Sequence, residues 1–380
     1  MAYDATKNEK EWYFSHNVPC NGDSDYTVGQ NWMYNLFTSL SGGNGNSDAA
    51  WEIVSSSNGT TVAAGGANIS SSTDFVSTAT GGSALGWFMA KKTGSAGQDS
   101  GILPRNATEE LTEFMQFTMA YDQGDAYTDA TFYFDREAPM MAGSTTAAPT
   151  MNGTGFSTST QFIFGHSAVE TYFNCMIDTT GSFYSFSSKT DSNNNPTQFT
   201  CCVARLETPR SSSVDPYPVF LKCGYLAGKA DTTEYSFGNW AGEFTSKYAS
   251  TSWNLPSKGA QAMWQMDGGA TTSDDPVLIF PGGYFYQYSS LGAPWFGLPA
   301  TGAPIDGTYP LLPTYVWFTE TNTGGQAVRG RLPDVHIMAS SAHTVQEGTS
   351  IVPPGNVTPY KSCTGNFLFP ASASFLPGFP

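Results

Sequence analysis

Residues 329–338 read Arg-Gly-Arg-Leu-Pro-Asp-Val-His-Ile-Met, which puts two arginines, an aspartate and a histidine into ten positions. Only 13% of the 380 residues are charged, about half the ~25% of an ordinary chain, so the group stands out. Such residues serve catalysis, an ion-pair clamp or the corner of a scaffold. Arg329, Arg331 and Asp334 alternate around Leu332-Pro333. Arginine–carboxylate forks fix geometry in two directions at once, and the segment reads as a turn entering a strand. We expect a clamp, its arginines reaching acids nearby or on a neighbouring subunit.

Other chemistry finds weaker support. The four histidines, His16, His166, His336 and His343, fall in no zinc-binding spacing and read as structural. Cys201 and Cys202 are adjacent, and successive strand residues face opposite ways, a poor geometry for one shared metal. No Gly-x-Ser-x-Gly elbow marks a serine hydrolase. Glycoside cleavage needs two carboxylates about 5–10 Å apart. Asp267, Asp274 and Asp275 lie among aromatic loops, yet acids in Gly-rich turns ordinarily cap backbone amides. Asp122, Asp125, Asp129 and Asp135 lack the spacing of a calcium loop. The chain reads as a non-enzymatic protein with no cofactor and no metal.

Surface aromatics give a binding alternative. Trp264, Tyr284, Tyr286 and Trp295 are candidates to stack on the sugar rings of a host surface glycan. With Phe367, Phe369 and Phe375 they are also candidates for contact with other subunits, since aromatic residues are enriched in interface cores and Lys is depleted there.

The balance of 32 acidic against 16 basic residues gives a net charge of −16, which repels phosphate backbones. No Gly-rich phosphate loop or dinucleotide fingerprint occurs. Direct sequence-specific nucleic-acid binding is therefore not expected. The first residues carry no apolar signal core, and no run of about 18 apolar residues suggests a membrane span. A cytoplasmic site of assembly follows, in which the six cysteines stay reduced.

The elements that must position these residues are mainly strands. Gly (40), Pro (23) and 14% aromatics favour turns and half-buried strands. Val28, Trp32, Leu36 and Leu40 recur at i+4 before Gly42-Gly43, which predicts one short amphipathic helix packed on a sheet. Residues 51–63 read as strand, Asn58-Gly59 turn of the type I′ kind, strand. A third strand covers Trp87–Lys91. Met115, Phe117, Met119 and Tyr121 alternate, as does the segment 129–135, which predicts an antiparallel pair. The fold class is mainly β: antiparallel β-sandwich-like domains with few short helices and long Gly/Pro/aromatic loops. Residues 1–137 form an N-terminal β-rich domain with one short helix. The uncharged segment 138–160 is a linker or long loop by its composition of Pro, Gly, Ser and Thr. A second β-rich domain spans 161–351. The Pro- and Phe-rich end, 352–380, forms an extended C-terminal arm.

Three stretches resemble tail-associated virion proteins of tailed bacteriophages. In 172–224 a strand pair leads through Pro216-Tyr217-Pro218 into an apolar strand. In 329–351 a Gly-x-Leu-Pro turn leads to a strand and then a Glu-Gly turn. In 32–59 a helix is followed by a Trp strand and an Asn-Gly hairpin. The resemblance touches roughly a third of the chain and carries no catalytic residue. It implies a structural component of the virion, in the tail tip, baseplate or neck, assembled in the host cytoplasm. Its partners would be copies of itself and other virion proteins. A glycan-binding module of a fibre or spike is the alternative, ahead of a polysaccharide depolymerase.

Overall fold

The computed structural model describes residues 12–23, 25–42, 51–76, 86–93, 112–122, 125–135, 157–163, 170–179, 181–190, 198–205, 207, 219–223, 261–264, 277–280, 311–320, 325–338, 350–352, 359–364 and 367–371. In chain order the elements begin with β1 (Trp12–Pro19), α1 (Asp25–Leu40), β2 (Glu52–Asn58), β3 (Val62–Ala64), β4 (Gly86–Thr93), β5 (Thr112–Asp122), β6 (Asp125–Asp135) and β7 (Ser157–Ile163). They continue with β8 (Glu170–Asp178), β9 (Phe183–Thr190), β10 (Gln198–Arg205), β11 (Val219–Cys223) and β12 (Gln261–Trp264). The last are β13 (Val277–Phe280), β14 (Leu311–Glu320), β15 (Gly325–Met338), β16 (Ser350–Ile351), β17 (Tyr360–Thr364) and β18 (Phe367–Pro370). The chain is mainly β, with one α-helix among the described residues.

The strands form three six-stranded sheets, and their pairings are antiparallel. The helix-side sheet has the order β3-β2-β4-β5-β6-β7, the central sheet β1-β8-β9-β10-β11-β12, and the C-terminal sheet β13-β14-β15-β18-β17-β16. Helix α1 lies between the first two. Its predicted stripe, Val28, Trp32, Leu36 and Leu40, is wholly buried, and Met33 and Phe37 widen it. A second apolar row lets the helix face two sheets where the sequence suggested one. Trp32 meets Phe173 of the central sheet edge-on at 5.1 Å, and Phe37 meets Phe88 of the helix-side sheet at 5.3 Å. Gly42 takes a φ of 81° after the last turn, which costs glycine little.

One continuous core joins these layers. It includes Phe88, Ala90, Phe117 and Met119 from the helix-side sheet, the helix stripe, and Phe173, Cys175, Ile177 and Phe183 from the central sheet. Fully burying each large side chain contributes about 1.5–3 kcal/mol. Phe117 and Met119 of the predicted alternating strand are both buried here. The division into 1–137 and 161–351 is crossed twice: by this core, and by β1, which pairs with β8. Strand β7 starts at Ser157 and pairs with β6, so the last residues of 138–160 are sheet. Uncharged Ser/Thr runs suit a strand as well as a loop.

The Asn58-Gly59 turn forms, but not as type I′, which needs positive φ at both central residues. Gly59 has a φ of 84° and Asn58 is not in that region. The Asn58 carboxamide oxygen instead accepts from the amides of Thr60 and Thr61, at 3.1 and 3.0 Å. This local bond replaces the tighter turn.

The C-terminal arm is a further correction. Residues 360–364 and 367–370 are strands of the C-terminal sheet, and β18 lies between β15 and β17. Pro359 and Pro370 allow this because they stand at strand ends, where a missing N–H is tolerated.

Candidate functional site at the joint between two sheets

The central sheet is covered on both faces. Along β8, Phe173, Cys175 and Ile177 belong to the helix-side core, while Asn174, Met176 and Asp178 alternate with them and are also buried. Apolar residues therefore occur on both faces of this strand, with Asn174 and Asp178 as the buried polar exceptions. The second face meets the C-terminal sheet, and the segment 329–338 lies at that joint.

The local geometry follows from a bulge. Pro313 pairs with His336 and Tyr315 with Arg331, so Leu332, Pro333, Asp334 and Val335 stand opposite Thr314 alone. A bulge re-aims side chains out of the ladder. Asp334 takes a φ of 52°, a conformation aspartate tolerates better than most residues. Leu332 and Val335 are fully buried. The Pro333 carbonyl accepts from the Tyr184 hydroxyl at 2.9 Å. The Asp334 carboxylate accepts from the Trp12 indole N–H at 2.6 Å, and the Trp12 and Tyr184 rings stack at 5.7 Å.

Arg331 carries the charged contact. It forms a backbone bridge with Glu207, each amide donating to the other carbonyl at 2.8 Å. Its guanidinium also forks onto one oxygen of Glu207, Nε at 2.9 Å and the terminal nitrogen in an ion pair. Burial lowers the guanidinium pKa, but the charge and hydrogen bonds of Glu207 outweigh this and leave it above its ordinary value. Asp334 adds to that field. His336 meets Tyr360 edge-on at 5.1 Å. Burial holds its imidazole below the usual value, partly opposed by the Asp334 carbonyl beside Nδ1.

Of the residues singled out by sequence, Arg331 and Asp334 act in this joint. Arg329 sits in β15, where Val316 pairs with the neighbouring Gly330. Phe369, expected at a glycan or subunit contact, is fully buried against Tyr184 at 5.3 Å and Phe186 at 4.9 Å. It is a core plug, because β18 is an inner strand and turns this ring toward the central sheet. Phe367 pairs with Ile337 and Trp264 with Val219 in the backbone ladders. Tyr284, Tyr286, Trp295 and Phe375 lie outside the described residues, as do Asp267, Asp274, Asp275, His166 and His343. Asp122 and Asp125 face each other where β5 meets β6, while Asp129 and Asp135 follow along β6. Among the described residues no three His, Cys, Asp or Glu side chains group as metal ligands, and no helix is long and apolar enough to cross a membrane.

Trp12, Tyr184 and Glu207 were not singled out by sequence reasoning. Trp12 and Tyr184 are aromatic strand residues like many others here, and Glu207 is a lone acid 124 positions from its partner. Charge scarcity drew notice to Arg331, but 32 acidic residues gave no way to choose its partner from sequence. No protein-family model matches this chain, and no curated protein matches it.

Proposed function

We propose that this chain is a structural component of a tailed-bacteriophage virion, acting in the tail tip, baseplate or neck by subunit–subunit assembly. One observation supports the reading most. The three stretches that resemble virion proteins are far apart in sequence, yet they converge on the central sheet. Stretch 172–224 supplies β8 to β11 of that sheet. Stretch 329–351 docks on it through the contacts of Arg331, Pro333 and Asp334. Stretch 32–59 supplies most of α1 and Trp51, whose indole N–H donates to the Gly181 carbonyl at 3.1 Å. A pattern whose parts meet in one scaffold is an architectural pattern. The polar groups of 331–336 hold sheets together, which suits a building block.

The structure alters the means of assembly expected from sequence. Residues 360–370 are part of the body, so they are not a reaching arm. The aromatic, Lys-poor sequence between β11 and β14 is the better source of subunit contacts.

Density-gradient fractionation of the producing culture, with mass spectrometry for this chain, tests the proposal. Co-sedimentation with DNA-containing particles at a fixed copy ratio is expected. Recovery only as free protein at the top of the gradient would overturn it.

A further inference from the structure

One row of the central sheet carries serine or cysteine at each step. Ser15 of β1 pairs with Cys175 of β8, Cys175 with Ser185 of β9, Ser185 with Cys201 of β10, and Cys201 with Cys223 of β11. The last step sets two cysteines directly opposite each other in an antiparallel pair. The sequence places Cys201 beside Cys202, but the ladder gives it a different neighbour, one strand away.

Directly opposed residues of an antiparallel pair share a face, with Cα atoms and Cβ atoms each about 4.5–5.5 Å apart. A disulfide needs Cα atoms about 4.4–6.8 Å apart and Cβ atoms about 3.5–4.5 Å apart. The register therefore brings this pair within bridging range, and closing the bond draws the two strands slightly together. The place suits that adjustment. The ladder runs from Arg205 opposite Val219 to Cys201 opposite Cys223, and β11 stops at Cys223. A strand end shifts at less cost than a strand middle. The other cysteines are worse placed. Cys202 holds an opposite-face position, across from Lys222. Strand β9 separates Cys175 from β10, a gap of about 9–10 Å over two strand spacings, beyond the ~7 Å limit. Cys20 follows β1, one strand further off. Cys363 belongs to β17 of the C-terminal sheet, which packs on the Tyr184 and Phe186 face. Cys201 is in register with Ser185 and Cys175, on the other face.

We propose that Cys201 and Cys223 are a reversible redox pair, which a small-molecule disulfide such as oxidised glutathione closes into a cross-strand disulfide. The inference is independent of the virion reading, because it rests on the register of β10 and β11. The thiolate of one cysteine attacks the small disulfide, forms a mixed disulfide and expels one small thiolate. The thiolate of the second cysteine attacks the protein sulfur of that bond, forms the cross-strand disulfide and expels the other small thiolate. The two thiol protons pass through solvent to the expelled thiolates. The pair thus loses two electrons and two protons, and the small disulfide gains them. A bond that must pull its Cβ atoms together is strained, and strained disulfides are readily reduced. In a reducing cytoplasm the pair stands as two thiols; in an oxidising medium it closes. Closure fastens the open end of the β10–β11 hairpin. The other end of β10 leads to Glu207, the anchor of Arg331, so the closed form ties down both ends of the strand next to the joint.

Disulfide mapping of the full folded chain tests this. The protein is treated with oxidised glutathione, free thiols are blocked with iodoacetamide, and tryptic peptides are read by mass spectrometry without reduction. Peptides 190–205 and 223–229 should be found linked, two hydrogens lighter than their sum. The link should vanish in Cys201→Ala and in Cys223→Ala and persist in Cys202→Ala, with serine as the substitute where an alanine variant does not fold. Reduced glutathione should reopen it. Absence of the link in the folded chain, its persistence without Cys201 or Cys223, its loss without Cys202, or a bond that reduced glutathione leaves closed would each overturn the proposal.

Discussion

At the residue scale, Arg331 and Glu207 show how a charge-poor chain uses a single pair. The guanidinium side chain is 39% exposed and the carboxylate 17%, so solvent screens much of their attraction. A double-mutant cycle of Arg331→Ala and Glu207→Ala should give a coupling of about 1 kcal/mol in urea unfolding. A coupling near zero would mean that the backbone bridge alone holds this corner. Phe369 carries more weight. Its ring has no exposure, and Phe369→Ala should cost about 3–5 kcal/mol, the usual range for a deleted core ring. A cost below about 1 kcal/mol in the same assay would show that the ring does not pack as described. Trp12→Phe keeps an aromatic ring but removes the donor to Asp334. A loss of about 1–3 kcal/mol is expected for a partly buried carboxylate that loses such a bond, and thermal unfolding would detect it.

At the element scale, close approach decides which substitutions a strand tolerates. Gly86 opens β4, and a Cβ there would lie 2.5 Å from the Phe75 Cα and 2.6 Å from the Val76 amide nitrogen. Both obstacles are backbone, so Gly86→Ala should destabilise by about 1–3 kcal/mol through overpacking. A neutral result in urea unfolding would place the segment 74–76 away from β4. The elements themselves were unevenly legible. The i+4 stripe of α1 and the alternation of Phe117 and Met119 were plain, because burial on one side imposes a period. The second row of the helix, Met33 and Phe37, was not read as a second face, since sequence does not say how many layers surround a helix. The end of the chain misled for a physical reason. Pro and Phe spaced irregularly suggest an extended segment, yet β17 and β18 pair through Tyr360, Lys361 and Ser362, which need only a short hairpin. The arm reading would have a chain lacking residues 352–380 remain soluble. The structure predicts the opposite, because that deletion strips β15 of its β18 partner and removes Phe369. Aggregation on size-exclusion chromatography, caused by the uncovered rings of Tyr184 and Phe186, is the expected result.

At the scale of the whole molecule, the question is whether the chain folds as one body or two. The sequence division at 138–160 assigns Cys20 to one domain and Cys175 to another. In the structure both are free, buried thiols of one core. Burial pushes Cys20 up to about 12 and raises Cys175 as well, so neither is a nucleophile while the fold is closed. Each becomes reactive only when its surroundings open. If α1 and its two sheets unfold together, as a shared core requires, pulses of iodoacetamide along a urea series should label both thiols with one midpoint. Peptide mapping by mass spectrometry reads the two sites separately, whatever the other cysteines do. Labelling of Cys20 at clearly lower urea than Cys175 would divide the molecule at the linker and restore the two-domain reading. A shared midpoint would make the helix the keystone of a single body, to which the C-terminal sheet is added as a layer with a joint of its own.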